Sequence, residues 1–189
     1  RHMPIFGPKG IDAFLENGVR QAYANDIKSR IAHGKSWDGL DWDTHEIAKE
    51  GLVRETDSFI IESLATKHAG LLNYNYRITT PSSKIVITSD SEPDPRLIDF
   101  CRDADFMLVE CSGTKEFYDT QACGGWHMTR EDLGWIAREA GVKKVVLKHL
   151  VIESFSRDSD VSEKMAETVR SLHPDGETLV AEDGMRFDL

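Results

Sequence analysis

From Asp90 onward the sequence alternates short apolar runs with stretches of helical periodicity, and this alternation limits the fold more than any other feature. Residues 106–110 read F-M-L-V-E, and residues 142–147 read V-K-K-V-V-L. Short runs of this kind, bounded by turns, are strands buried on both faces, and such strands need helices on the outside of the sheet. The residues between them supply one helix. Thr129 is a cap, Leu133, Ile136, Ala137 and Ala140 recur on one face, and Gly141 ends it. Asp94-Pro95 opens another helix, running to about Asp103, with Asp as the cap and Pro at the first helical position. Asp160, with Glu163 three residues on, opens a last helix along Val161, Met165, Val169 and Leu172.

The N-terminal half reads differently. After a turn at Gly7-Pro8-Lys9-Gly10, the residues Ile11, Phe14, Leu15, Val19, Ala22, Ile27 and Ile31 fit one helical face, and Gly34 ends the pattern. Residues 35–45, with Trp37 and Trp42, read as an exposed loop. Residues 59–64, 74–78 and 84–88 read as strands, separated by turn residues at Asn73 and Pro81-Ser82-Ser83. Glu177 to Leu189 reads as a hairpin around Asp183-Gly184. The sum is a single domain over residues 1–189 of the α/β class, with helices covering a sheet.

Composition narrows the function. A net charge of −10 argues against a chain whose main task is gripping a nucleic-acid backbone. No apolar run approaches the ~18 residues of a membrane span, and no signal peptide is visible. The three cysteines, Cys101, Cys111 and Cys123, are odd in number and widely spaced. They read as reduced thiols in a cytoplasmic protein.

Three polar residues stand where buried strands end: His68 after residues 59–64, Asp90 after residues 84–88, and His149 after residues 142–147. Strand ends that open into loops are where α/β proteins place their sites. Two histidines and a carboxylate suit zinc, manganese or iron. Each taken alone also fits a structural residue or a cap. His127, after Gly124-Gly125-Trp126, is a fourth candidate, because a loop histidine can act as a general acid near neutral pH. His2, His33, His45 and His173 carry weaker signals.

Several segments, in order, resemble motifs of the metallo-β-lactamase superfamily, in the branch of ribonuclease Z and the arylsulfatase-like hydrolases. Pro4 to Gly10 resembles its v-x-G-P-x-G turn, and Thr66-Lys67-His68 the approach to its third ligand motif. Thr88-Ser89-Asp90-Ser91 resembles S-G-D-T, and Ala104 to Glu110 resembles a-D-l-L-i-h-E. His127-Met128-Thr129 matches H-x-T, and Ala140 to Leu150 resembles A-G-v-k-k-l-v-L-t-H-l. There are also departures. Ser89 stands for the usual glycine, Ser91 for threonine and Val109 for histidine, and the signature H-x-H-x-D-H is absent from the chain.

The resemblance implies a four-layer αββα sandwich whose N-terminal part lies outside this sequence. It also implies two metal ions, zinc first, with manganese or iron as alternatives. His68 would complete one metal and His149 the other, with Asp90 bridging. His127 would be catalytic, with Glu110 orienting it or a ligand. The implied activity is hydrolysis of a phosphodiester, sulfate or related ester by metal-activated hydroxide. The acidic balance favours a small-molecule ester as substrate. A tRNA 3′-processing endonuclease of ribonuclease Z type, with an RNA partner, is the alternative. A second alternative is a non-catalytic, degenerate or partner-binding fragment. The missing ligands would come from an upstream segment or a complementing chain. A homodimer is compatible with the sequence, and a membrane partner is not expected.

Overall fold

A parallel pair of strands organises the N-terminal unit, Arg1–Lys49, of a chain that divides into two units. The computed structural model describes residues 3–37, 41–119, 125–150 and 159–188. Cys123 and Gly124 lie outside the described residues, as does the side chain of the expected cap Asp160. Strand β1 (Met3–Gly7) runs parallel to β2 (Trp42–Glu46), with Met3 opposite Trp42 and Gly7 opposite Glu46. Between them lie α1 (Ile11–Phe14), a π-helical stretch Leu15–Arg20, and α2 (Ala24–Ala32). The single long helix expected over this region is therefore broken. The loop expected over residues 35–45 instead contains a strand. Trp-Asp-Thr-His-Glu has no apolar alternation, so its strand state rests on tertiary partners. Gly10 N–H donates to Glu46 Oε1 at 2.6 Å, and Ile47 N–H donates to the Gly7 carbonyl at 2.7 Å. The Arg20 guanidinium lies 5.1 Å from the Trp37 ring and 4.6 Å from that of Trp42, two cation–π contacts that hold the indoles of this segment.

The second unit, Glu50–Leu189, is built on a seven-stranded sheet whose spatial order is its sequence order. Its strands are β3 (Gly51–Glu55), β4 (Ile60–His68), β5 (Leu71–Thr79), β6 (Lys84–Ile87), β7 (Phe106–Glu110), β8 (Lys144–Lys148) and β9 (Glu177–Val180). Neighbours from β3 to β6 are antiparallel, and those from β6 to β9 are parallel. The change of direction at β6 coincides with the point where the sequence begins to alternate strand and helix, because parallel strands need crossover connections. Crossovers bring in α3 (Arg96–Phe100), α4 (Lys115–Asp119), α5 (Arg130–Ala140) and α6 (Ser159–Leu172). The C-terminal hairpin is not formed among the described residues. Its first half is β9, paired with β8, and the Asp183-Gly184 turn leads into irregular chain. No helix among the described residues is long and apolar enough to cross a membrane.

The core lies on one face of this sheet. Val86, Met107, Val109, Val145 and Leu147 from β6 to β8 pack with Leu97 of α3, with Leu133, Ile136, Ala137 and Ala140 of α5, and with Met165, Ala166 and Val169 of α6. The α5 positions are those expected; on α6 Met165 and Val169 are as expected, Val161 packs partly buried against the core, and Ala166 is an addition. Close packing of the two helices depends on Gly134, where a β-carbon would come within 2.7 Å of Leu172. Helix α5 starts with a full capping box. The Thr129 hydroxyl accepts from Asp132 N–H at 3.1 Å, and Asp132 Oδ2 accepts from Thr129 N–H at 3.1 Å. It ends at Gly141, whose φ of 67° is the left-handed value glycine adopts without strain.

Two predictions follow from this packing. Thr129→Ala should lower unfolding free energy by about 1–2 kcal/mol, read from denaturant midpoints, whereas Thr129→Ser should change it little. Cys101 and Cys111 are buried, and burial pushes both thiols up to about 12. Both should therefore resist iodoacetamide at mildly alkaline pH in the folded protein and react after denaturation. Peptide mapping of the alkylated protein reads this, and rapid labelling of either residue under native conditions would contradict the packing.

Candidate metal centre

Three parallel strands end side by side, and their ends set the site. Ile87 of β6 is in register with Leu108 of β7, and Glu110 of β7 with Lys148 of β8. Asp90 lies just beyond β6, Glu110 is the last residue of β7, and His149 directly follows β8. Their side chains therefore meet at the carboxyl edge of the sheet, where α/β folds place ligands. His127 arrives from another direction. Ser112, just past β7, forms a parallel bridge with Thr129, and Ser112 N–H donates to the Met128 carbonyl at 3.1 Å. The segment leading into α5 is thus laid along the extension of β7, which brings His127 over Glu110.

The four side chains form one cluster. Asp90, Glu110, His127 and His149 each offer a ligand atom, and these atoms lie within 4.8 Å of one another. Two ligands about 2.0–2.2 Å from a zinc ion are at most roughly 4.4 Å apart, so a small inward movement accommodates a shared cation. His149 Nδ1 is 3.3 Å from Asp90 Oδ1 and 3.8 Å from Glu110 Oε2. Both separations are longer than a charge-assisted hydrogen bond, so the nitrogen and the oxygens face one another without being bonded. His149 is 49% exposed and Asp90 34% exposed, so both can be reached from solvent.

Glu110 is different, being wholly buried with each carboxylate oxygen holding a hydrogen bond. One carboxylate oxygen accepts the Ser91 N–H, and the other pairs with His127 Nδ1 at 2.7 Å. Burial raises its carboxyl above the ordinary value, and the His127 and Ser91 hydrogen bonds oppose that rise. The bond at Nδ1 lets Glu110 orient the His127 ring, and Nε2 is the ring nitrogen not engaged by that carboxylate. The backbone at His149 has φ of 48°, and that at Ala69, next to His68, has φ of 50°. A histidine in the left-handed region is held there against a steric cost of about 1–2 kcal/mol, a signature common at functional sites.

His68 is the last residue of β4 rather than a residue beyond a strand ending at 64. Its Nδ1 lies 2.9 Å from the Trp126 carbonyl, and its ring meets the His127 ring edge-on at a centroid distance of 4.6 Å. It is not one of the four clustered groups. It does line, with Asp90, an open pocket of about 530 Å³ that also includes Asn73, Thr88, Ser89 and Lys148. The weaker histidines have structural partners. His33 is bonded to the Ser29 carbonyl, His45 stacks on Phe6, and the buried His173 is bonded to the Val142 carbonyl. His2 lies outside the described residues. Asn73, expected as a turn residue, lies instead within β5, paired with Thr66, and Asn75 was not singled out by the sequence. Their signal was present as two asparagines on alternate positions of one strand, where asparagine is depleted.

No protein-family model matches the sequence. Individual proteins do. The chain is 31% identical over 160 residues to YhfI of Bacillus subtilis, described as a probable metallo-hydrolase, a match covering 79% of this chain and 61% of YhfI. It is 32% identical over 106 residues to ribonuclease Z of Archaeoglobus fulgidus, covering 56% of this chain and 32% of that enzyme. The chain thus spans less than two thirds of these curated relatives. Among solved structures, YhfI, a metallo-β-lactamase-fold protein, superposes with a TM-score of 0.68 at 23% identity, covering 97% of this chain and 63% of that one. Human tRNase Z, short form, gives a TM-score of 0.63 at 16% identity, covering 97% and 66%. The α/β architecture is shared with both structures, so the chain has the metallo-β-lactamase fold, and its sequence is similar to those of YhfI and ribonuclease Z.

Proposed function

We propose that the protein is a metal-dependent hydrolase acting on a phosphodiester or related ester. The observation that carries this reading is the meeting of Asp90, His127 and His149 around the buried Glu110 at the carboxyl ends of β6, β7 and β8. Asp90 and His149 would hold the cation directly, since both are accessible and face each other. His68, which lines the same pocket as Asp90, would add a ligand. The remaining ligands of a two-metal site would come from outside these residues. Zinc suits this set of imidazoles and carboxylate, with manganese or iron as substitutes. Such a cation, when bound, supplies Lewis acidity and makes water a competent nucleophile at neutral pH.

The chain's own residues do the rest. Glu110 accepts from His127 Nδ1 and so fixes its tautomer and orientation. Nε2 is then the atom that holds a proton and releases it to the leaving oxygen. Lys148, half-buried in the wall shared with Asp90 and His68, places an ammonium where an anionic ester would sit, which favours a phosphoryl centre over a neutral ester. The relatives described as ribonuclease Z favour a second reading, in which the ester is a phosphodiester of precursor tRNA.

Both readings can be tested in the full-length, zinc-loaded protein with bis(p-nitrophenyl) phosphate and a labelled precursor tRNA. His127→Ala should reduce kcat by about 100-fold or more while leaving metal content unchanged. Asp90→Ala should lose both metal and activity, and an Asp90→Ala protein that keeps both would contradict the assignment. Specific cleavage of the tRNA at its 3′ side would select the RNA reading.

A further inference from the structure

Asn75 is fully buried in the middle of a strand, and Asn73 lies two positions away on the same face. Strand interiors favour β-branched and aromatic residues, and a buried amide is tolerated only when its donors and acceptors are satisfied. Both amides are satisfied here, and by the segment that carries Asp90. Asn75 Oδ1 accepts the Ser89 N–H at 3.0 Å, and its Nδ2 donates to Thr66 Oγ1 at 2.9 Å and to the Leu64 carbonyl at 3.4 Å. Thr66, on β4 and in register with Asn73, donates its hydroxyl to Asn73 Oδ1. Asn73 Nδ2 in turn donates to the Asp90 carbonyl. The Ser89 hydroxyl donates to the Tyr74 carbonyl at 2.8 Å.

The result is a stretch that is neither helix nor strand, yet tied at every residue. Thr88 N–H donates to the Leu108 carbonyl at 2.9 Å, Ser89 N–H to Asn75, Ser91 N–H to Glu110, and Glu92 N–H to the Lys67 carbonyl at 2.7 Å. Asp90 is held at its carbonyl by Asn73. It therefore sits between two clamps, amides of β5 on one side and Glu110 of β7 on the other. A local departure from strand propensity that serves no apolar packing, but fixes the backbone of one carboxylate, points to that carboxylate.

We propose that Asn73 and Asn75, linked through Thr66, are positioning residues that hold the Asp90 backbone in place for metal binding. The inference rests on the reading of Asp90 as a metal ligand. The network can be judged without metal, by hydrogen–deuterium exchange at residues 88–91 of the full-length protein. Coupling to the metal can be judged by titration with Co²⁺, a spectroscopically visible probe. Asn73→Ala and Thr66→Val should speed exchange at residues 88–91 and weaken Co²⁺ binding by about tenfold or more, whereas Thr66→Ser, which keeps the hydroxyl, should restore both. Asn73 is only half-buried, so its variant should fold even if an Asn75→Ala protein does not. Unchanged exchange in both variants would overturn the network. Faster exchange with Co²⁺ affinity within about twofold of wild type would overturn its role toward the metal. If Asp90→Ala binds Co²⁺ as well as wild type, the metal reading of Asp90 falls, and with it the proposed purpose of the network.

Discussion

The buried carboxylate of Glu110 ties the candidate site together. It stands at the end of β7 with no exposed surface, bonded to Ser91 N–H on one side and His127 Nδ1 on the other. Among the described residues, no strand pairing joins the loop after β6 to the segment before α5. They meet because both bond to one carboxylate. A buried charge of this kind is costly unless it is fully bonded, and removing one partner of such a pair destabilises by roughly 3–5 kcal/mol. Burial separates the roles of the two acids: each oxygen of Glu110 already accepts a hydrogen bond away from solvent, whereas Asp90 is partly exposed, with Oδ1 3.3 Å from His149 Nδ1.

The parallel half of the sheet explains why the cluster forms where it does. Strands β6, β7 and β8 run the same way and end at matching register, so residues distant in sequence appear at one edge. The helices that make parallel pairing feasible occupy the other end of the logic. They bury Met107, Val109, Val145 and Leu147 on the sheet's covered face, which fixes the register and therefore which residues reach the edge. The left-handed backbone at His149 is then held by a frame rigid enough to tolerate it.

Much of this was legible in the sequence. The α5 helix, with its Thr129 cap and Gly141 stop, and the buried strands on either side of it follow from apolar spacing and turn chemistry alone. Asp90 and His149 stood out because each follows the end of a buried strand, and His127 because it follows the loop residues Gly124-Gly125-Trp126. The strand Trp42–Glu46 did not, since a polar strand is specified by its partner β1 and not by its own residues. Gly51–Glu55 escaped for a related reason. It is an edge strand with a register shift between Leu52 and Arg54, so its alternation is broken. The C-terminal hairpin was read from turn residues, but a turn marks a change of direction and does not guarantee a second strand. The Glu110–His127 bond and the Asn73–Asn75 network join segments far apart in the chain, a relationship that periodicity does not encode.

The most direct test of the account is where a metal ion binds. Crystals of the full-length protein grown with zinc, with diffraction data collected on both sides of the zinc absorption edge, give that position from anomalous differences alone. The account predicts a peak within about 2.0–2.2 Å of Asp90 Oδ and a His149 ring nitrogen, with Glu110 still bonded to His127 and Ser91. A fully occupied zinc that touches neither Asp90 nor His149, or one ligated by Glu110 in place of its bond to His127, would contradict it.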